Sequence, residues 1–576
     1  MIRRRLAAAV LVVLPLASCA SIPERSDPMA VKPIVEGNTT RTTAPEPPPG
    51  ADPFQVVRSF VDSGSSPETG FAAAREHLTR DAERRWEPGP SVLVVDDLGT
   101  IPVPPAPDQP APGQPDDVRL VRVQGDRVGQ LRPDFSFVPE SGPYQAQVRV
   151  VRDARDQWRI ADPPPDMVIS RSSFKRDLMP VPIYFADHDG RGVVPDLRWI
   201  SSQTESTLPR RVVELLLGGP SEGFRGAMRS KLPSGAYPRT NVAEADDGAL
   251  LVNLSGLGDL DLEARRMIAA QVVLSLQSVS KARVRLQEEG VPLLPGKRDL
   301  QPADVRAFEV DNEVPPDLPG LAVVGERLHV LDEDVAPVPG PTGSGALEVL
   351  DGAQSTDGSR LAAVVRTPAG QVALRIGPYG EAMTEVPVGG SFMSRPTWRG
   401  DSEVWTVVNG GEVFRAVREN GAWRPQRVDA AEFAGGRPVT ELRLSHDGTR
   451  AAGVVDGRLV VAAVVDQGDA TALRDPVVLG ASRSFRITGV DWLTDKSLVV
   501  ATDGSAPVME VSVDGFDWTE YASANLTQPI NAVTAGPDRR VVVADQSWLW
   551  EADAPGSVWS VLPGQFKGSS IPFFPG

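Results

Sequence analysis

Cysteine occurs once in the 576 residues, at Cys19, and histidine four times, at His77, His188, His329 and His446. A single thiol excludes a disulfide framework, and so few sulfur and imidazole ligands exclude a cysteine-rich zinc module. Positive charge is also short. Against 76 Asp+Glu stand 59 Lys+Arg, a net charge of −17 that becomes −20 once Arg3, Arg4 and Arg5 of a removable leader are discounted. A body this acidic suits neither nucleic acid nor electrostatic docking on anionic lipid. Catalytic signatures are missing too: there is no G-x-S-x-G, G-x-G-x-x-G, G-x-x-x-x-G-K-[ST] or H-E-x-x-H. S-x-x-K occurs at Ser172–Lys175 and Ser278–Lys281, but no K-T-G accompanies it. The sequence therefore reads as a non-enzyme, with no catalytic, cofactor-binding or metal-binding residues. Turn formers, by contrast, are abundant, with 55 Pro and 53 Gly, while 41% of residues are apolar. That balance describes short strands joined by many turns.

The amino terminus is the most informative stretch. Three arginines precede the apolar run Leu6 to Leu16. Eleven residues fall short of the roughly 20 that a membrane-spanning helix needs. A basic start, a short apolar core and small residues are the layout of a secretory signal. The next residues, Leu16-Ala17-Ser18-Cys19, resemble the bacterial lipobox, and the only cysteine sits at its processing point. A cysteine is required there because its thiolate is the nucleophile that accepts a diacylglyceryl group as a thioether. Cys19 is thus the expected lipid-attachment residue, placing the chain on the extracytoplasmic face of the cell membrane. Residues 1–18 are the expected signal peptide. Residues 19–50, rich in Pro, Thr and Ser, are an expected disordered spacer.

Three units follow. In the first, 51–170, Asp52-Pro53 starts a helix with Phe54, Val57, Phe60 and Val61 on one face. Phe71 to Trp86 reads as a second amphipathic helix. Strand patterns then run over Ser91–Val95, Val118–Val123, Tyr144–Val151 and from Trp158, interrupted by a loop, Pro102 to Pro115, with seven prolines. The second unit, 178–312, is again α+β. It has strands from Val181, Ala249 and Ala282, a helix over Leu208–Leu217 ending in Gly218-Gly219, and a long helix over Leu262–Val279.

In this second unit Tyr184-Phe185, Asp189-Gly190, Val194-Pro195, Leu215 to Pro220, Lys231 to Gly235 and Val252 to Ser255 resemble the GerMN domain family, over about 110 residues. Two features depart from that pattern. Asn253 stands where Asp is expected, and the last strand runs into Gln287-Glu288-Glu289-Gly290. Asp187-His188-Asp189-Gly190 could suggest a metal loop, but polar residues before Gly after a strand read more simply as a solvated turn.

The third unit, 319–576, repeats itself. Ser355-Thr356-Asp357-Gly358-Ser359-Arg360 and Ser445-His446-Asp447-Gly448-Thr449-Arg450 are near copies, each followed by a β-branched run. Weaker copies centre on Asp401, Asp495 and Asp538, giving steps of 44, 46, 48 and 43 residues. That period is the one expected for four-stranded propeller blades. There is room for five or six blades, with a terminal strand to close the ring. Trp398, Trp405, Trp492, Trp518, Trp548, Trp550 and Trp559 suit either blade cores or stacking on sugars.

Two α+β units and an all-β propeller behind a lipobox resemble the LpqB family of actinobacterial lipoproteins. This resemblance implies a partner, the extracellular domain of a sensor histidine kinase. It also implies modulation of that two-component system in cell-envelope homeostasis and division. Partner-binding residues are unknown at this level. A peptidoglycan- or glycan-binding envelope protein is the alternative.

Overall fold

A computed structural model describes residues 47–103, 117–202, 205–309, 314–315, 317–468, 470–564 and 566–576. Cys19, the signal peptide and nearly all of the spacer lie outside the described residues, as do residues 104–116 of the proline-rich loop.

The first helix, Pro53–Asp62, begins as its sequence dictates. The Asp52 carboxylate accepts the Phe54 and Gln55 N–H groups at 2.8 Å, and Gln55 Oε1 accepts the Asp52 N–H at 3.0 Å. This reciprocal cap satisfies donors the helix itself leaves open. Val56, Val57, Phe60 and Val61 are buried against the sheet. The expected single helix over Phe71–Trp86 is instead two short ones, Ala72–Arg75 and Arg80–Arg85. The break has a local cause. The Ile160 N–H donates to His77 O at 2.9 Å, the Thr79 N–H donates to Ile160 O at 2.8 Å, and the Thr79 hydroxyl caps the second helix. Pairing with a strand edge has displaced one helical turn. The sheet runs in the order Trp158–Asp162, Phe137–Arg152, Val118–Leu131, Val92–Pro102, Met167–Ser170, parallel only at the last pair. Two of its strands are 14 and 16 residues long, well beyond the runs legible in the sequence.

The second segment opens with the hairpin Leu178–Ala186 and Val193–Ser201. Leu250–Ser255 pairs in parallel with Val284–Glu288, and the helix Leu262–Gln277 is buried without interruption from Met267 to Leu276. A helix buried this fully has no polar stripe, and its hydrogen-bonding side chains turn inward to the hairpin. The Tyr184 N–H donates to Ser275 Oγ at 2.8 Å, and Gln271 Nε2 donates to Tyr184 O at 3.2 Å. The two departures from the GerMN pattern meet each other: Asn253 Oδ1 accepts the Gly290 N–H at 3.0 Å, and Asn253 is the register partner of Gln287.

Among the described residues the propeller has six blades. Five are four-stranded, spanning Val349–Gly390 (blade II), Thr397–Val428 (III), Val439–Leu479 (IV), Ile487–Glu520 (V) and Ala532–Val561 (VI). Blade I combines Leu321–Val324 and Arg327–Val330 with the late strand Ile571–Phe573, so chain segments from both ends of the unit close the ring. Trp398, Trp405, Trp492 and Trp559 are at most 2% exposed and fill blade cores.

Candidate functional site

The near-copy turns of blades II and IV are built alike. Ser355 Oγ and Ser445 Oγ each donate to the following Asp at 2.6 Å. Asp357 accepts the Ser359 N–H at 3.0 Å, as Asp447 accepts the Thr449 N–H at 2.8 Å. Gly358 and Gly448 have φ of +73° and +66°, which is why glycine follows the aspartate. The turn fixes each arginine's backbone by an N–H bond to the serine hydroxyl, at 3.0 Å for Arg360 and 3.1 Å for Arg450.

Beyond the backbone the copies part. Arg450 is 1% exposed. It pairs with Asp447 at 2.9 Å and donates to Pro195 O of the GerMN-like hairpin at 3.4 Å, and its guanidinium lies over Trp492 and Phe224. Arg360 is only half-buried and forms no ion pair among the described residues.

The same seam continues through blades III to V. Phe224 and Ala227 pack on Ala463 and Val465. His188 Nε2 lies 3.8 Å from Asp466, which Arg399 also holds at 2.7 Å. The Asp187–Gly190 loop is a turn closed on itself, its carboxylate accepting the Arg191 and Gly192 N–H groups. Burial pushes the Asp187 carboxyl up despite those bonds. No group of three or more metal-ligating side chains occurs among the described residues.

The strongest link is a single aromatic side chain from blade V. Phe516 sits 4.7 Å from Trp199, 4.8 Å from Phe174 and 5.1 Å from Phe137, ring centre to ring centre. It thereby joins the apolar cluster that the first two segments share. Around it Trp199 Nε1 donates to Asp514 at 2.8 Å, Arg171 donates to Phe516 O at 3.2 Å and Lys175 pairs with Asp517 at 2.8 Å. Burying such a ring contributes roughly 1.5–3 kcal/mol. Nothing in the repeat pattern marks Phe516. A faint clue is that Ser512-Val513-Asp514-Gly515 imitates the Ser-x-Asp-Gly turn one hairpin later.

A separate polar group lies on the innermost strands. Asp491 accepts from Arg443 at 3.2 Å, from Arg395 at 3.3 Å and from Thr534 at 2.7 Å. Burial works against the charged form of Asp491, but Arg443 and Arg395 outweigh it and hold the carboxyl down at about 2. Among the described residues Glu441 accepts only the Val490 N–H, at 2.9 Å, and burial pushes its carboxyl up to about 7.

The other sequence candidates are scattered. Lys175 of one S-x-x-K is tied to Asp517, whereas Ser278 of the other caps its own helix through Ser275 O. His77 is buried and bonded to Ala73 O, with burial lowering its pKa. Trp548 is 37% exposed and Trp518 half-buried. No described helix is long and apolar enough to cross a membrane.

Comparison with known proteins covers almost the entire chain. Residues 46–175 match the family model "Lipoprotein LpqB, N-terminal domain", residues 182–294 match "Sporulation and spore germination", and residues 325–575 match "Lipoprotein LpqB beta-propeller domain". Lipoprotein LpqB of Rhodococcus jostii is 31% identical over 98% of this chain and 96% of its own. Lipoprotein LpqB of Rhodococcus opacus is 31% identical over 99% and 97%, and that of Mycobacterium tuberculosis 29% over 97% of each. Among solved structures, a β-propeller domain from Myceliophteria thermophila aligns with 35% of this chain and 64% of its own, at 12% identity and a TM-score of 0.27. With three segments in the same order and full-length relatives in several genera, the chain belongs to the LpqB family of actinobacterial envelope lipoproteins.

Proposed function

We propose that the chain is a non-enzymatic accessory protein, anchored through a lipid on Cys19 at the extracytoplasmic face. In this reading it binds the extracellular region of a sensor histidine kinase and modulates two-component signalling in cell-envelope homeostasis and division. Segments 51–170, 178–312 and 319–576 act as its modules, behind the signal peptide and spacer.

The observation that supports this most is the seam: Phe516 and Arg450 bind the propeller to the α+β segments. A body joined in this way offers a partner one fixed surface, so little ordering entropy is lost on binding. Two acyl chains make a stable anchor, and confinement to the membrane raises the effective concentration toward an integral membrane kinase. Modulation then requires that the body bind one signalling state of the kinase better than the other.

The test pairs purified mature protein with the kinase ectodomain and, in parallel, with insoluble peptidoglycan. Saturable binding to the ectodomain is the expected result. Retention on peptidoglycan with no ectodomain binding at about 100 µM, a concentration that would reveal even weak contacts, overturns it in favour of a glycan-binding role. In cells, Cys19→Ala should abolish fatty-acid labelling and weaken the effect on response-regulator phosphorylation.

A further inference from the structure

A cleft of about 620 Å³ lies between the first segment's sheet and blades IV and V, beside the seam at Phe516 and Arg171. This volume is in the range of small-molecule sites. Its two walls carry opposite chemistry. On the propeller side the Arg483 guanidinium lies 4.5 Å over the Trp518 ring and 5.7 Å over Phe485 and makes no hydrogen bond or ion pair to any described residue, while its backbone N–H donates to Gly480 O at 2.9 Å. Arg171, at the base, points one guanidinium nitrogen at Asp96 (3.1 Å) and another at Phe516 O. Burial and the neighbouring Arg171 charge lower the pKa of Arg483, with Glu520 opposing them, so two guanidinium groups lie near each other there, Arg171 paired with Asp96.

The facing wall is acidic. Asp97 and Asp126 are exposed and pair with no described cation, whereas Arg127 on the same wall is already matched by Glu140 at 3.7 Å. Asp97 stands at an irregularity of its strand with φ of +47°, a conformation that turns it out of the regular ladder. The half-buried Trp518 supplies apolar surface between the two charged sides.

We propose that this cleft binds a zwitterionic small molecule of the amino-acid or short-peptide class. Its carboxylate sits between Arg483 and Arg171, its ammonium against Asp97 and Asp126, and its apolar part on Trp518. A guanidinium stacked on an indole keeps its edge open for two parallel hydrogen bonds to a carboxylate. An anion alone would meet the uncompensated acids, and a cation alone would meet the arginines. Only a molecule carrying both charges satisfies both walls.

The probe is the dipeptide alanyl-alanine, measured by calorimetric titration against the mature protein, with its N-acetylated and C-amidated forms as the two charge-deleted arms. Saturable binding of the unmodified dipeptide, weakened about tenfold or more by either block, is expected because each charged hydrogen bond is worth at least that factor. Arg483→Ala and Asp126→Asn should each cause a loss of similar size, whereas Arg486→Ala, outside the cleft lining, should leave affinity unchanged. Both affected residues are partly or fully exposed, so unchanged thermal unfolding checks that the variants are folded. The proposal is overturned if the dipeptide shows no binding at about 10 mM, if either blocked form binds as well as the parent, or if Arg483→Ala binds like the unaltered protein.

Discussion

The turns at Ser355–Arg360 and Ser445–Arg450 start from nearly the same six residues and share the same hydrogen bonds, yet their arginines have different fates. In blade IV a hairpin from another segment covers the turn, and Arg450 is buried between Asp447, Pro195 O and two aromatic rings. In blade II Arg360 stays half-buried, with its Nε unpartnered among the described residues. The repeat specifies the turn, and what packs on it specifies what the turn does. A local motif can therefore recur as pure architecture in one blade and as a joint in another.

Phe516→Ala should have the largest effect. It empties the centre of an aromatic cluster shared by three segments, at a cost of about 4 or 5 kcal/mol in chemical denaturation. It should also open the seam to limited proteolysis. Arg450→Ala should follow at about 3 kcal/mol, because Asp447 would be left buried without its cation. Arg360→Ala should change stability by no more than about 0.5 kcal/mol, as befits a half-buried residue without an ion pair. Equal costs for the two arginines would break the comparison.

The inner strands of blades IV and V provide a subtler contrast, between Glu441 and Asp491. The folded-state pKa of Glu441 is raised to about 7. A raised carboxyl favours the folded state below its unfolded pKa, and that advantage is lost as pH rises through the folded value. The Glu441 contribution to stability should therefore fall between about pH 4.5 and 7 by up to about 3 kcal/mol, and the difference in stability between the unaltered protein and Glu441→Gln should change with pH across that window in denaturant titrations. Asp491, held at about 2 by its arginines, titrates outside this window, so its own titration adds no slope there.

Much of the fold was legible because it follows local rules. Asp52-Pro53 announced a capped helix, and the Asp-Gly turns gave the propeller period. The sixth blade was open in the sequence because blade I is assembled from strands some 240 residues apart, which no local period reveals. The break at His77-Leu78 was hidden for a similar reason: its cause is a strand edge at Ile160. The seam was least legible of all. Phe516, Trp199 and Phe174 look like ordinary core residues of their own segments, and only the tertiary arrangement gathers them. The cleft of Arg171 and Arg483 joins residues 312 positions apart and left no motif.

Calorimetric unfolding of the mature protein, run beside Phe516→Ala, tests the central claim that the propeller and the α+β segments are joined into one body. One cooperative transition in the unaltered protein, resolved into two by Phe516→Ala, is the predicted result. Two transitions already present in the unaltered protein, unmoved by the substitution, would contradict it.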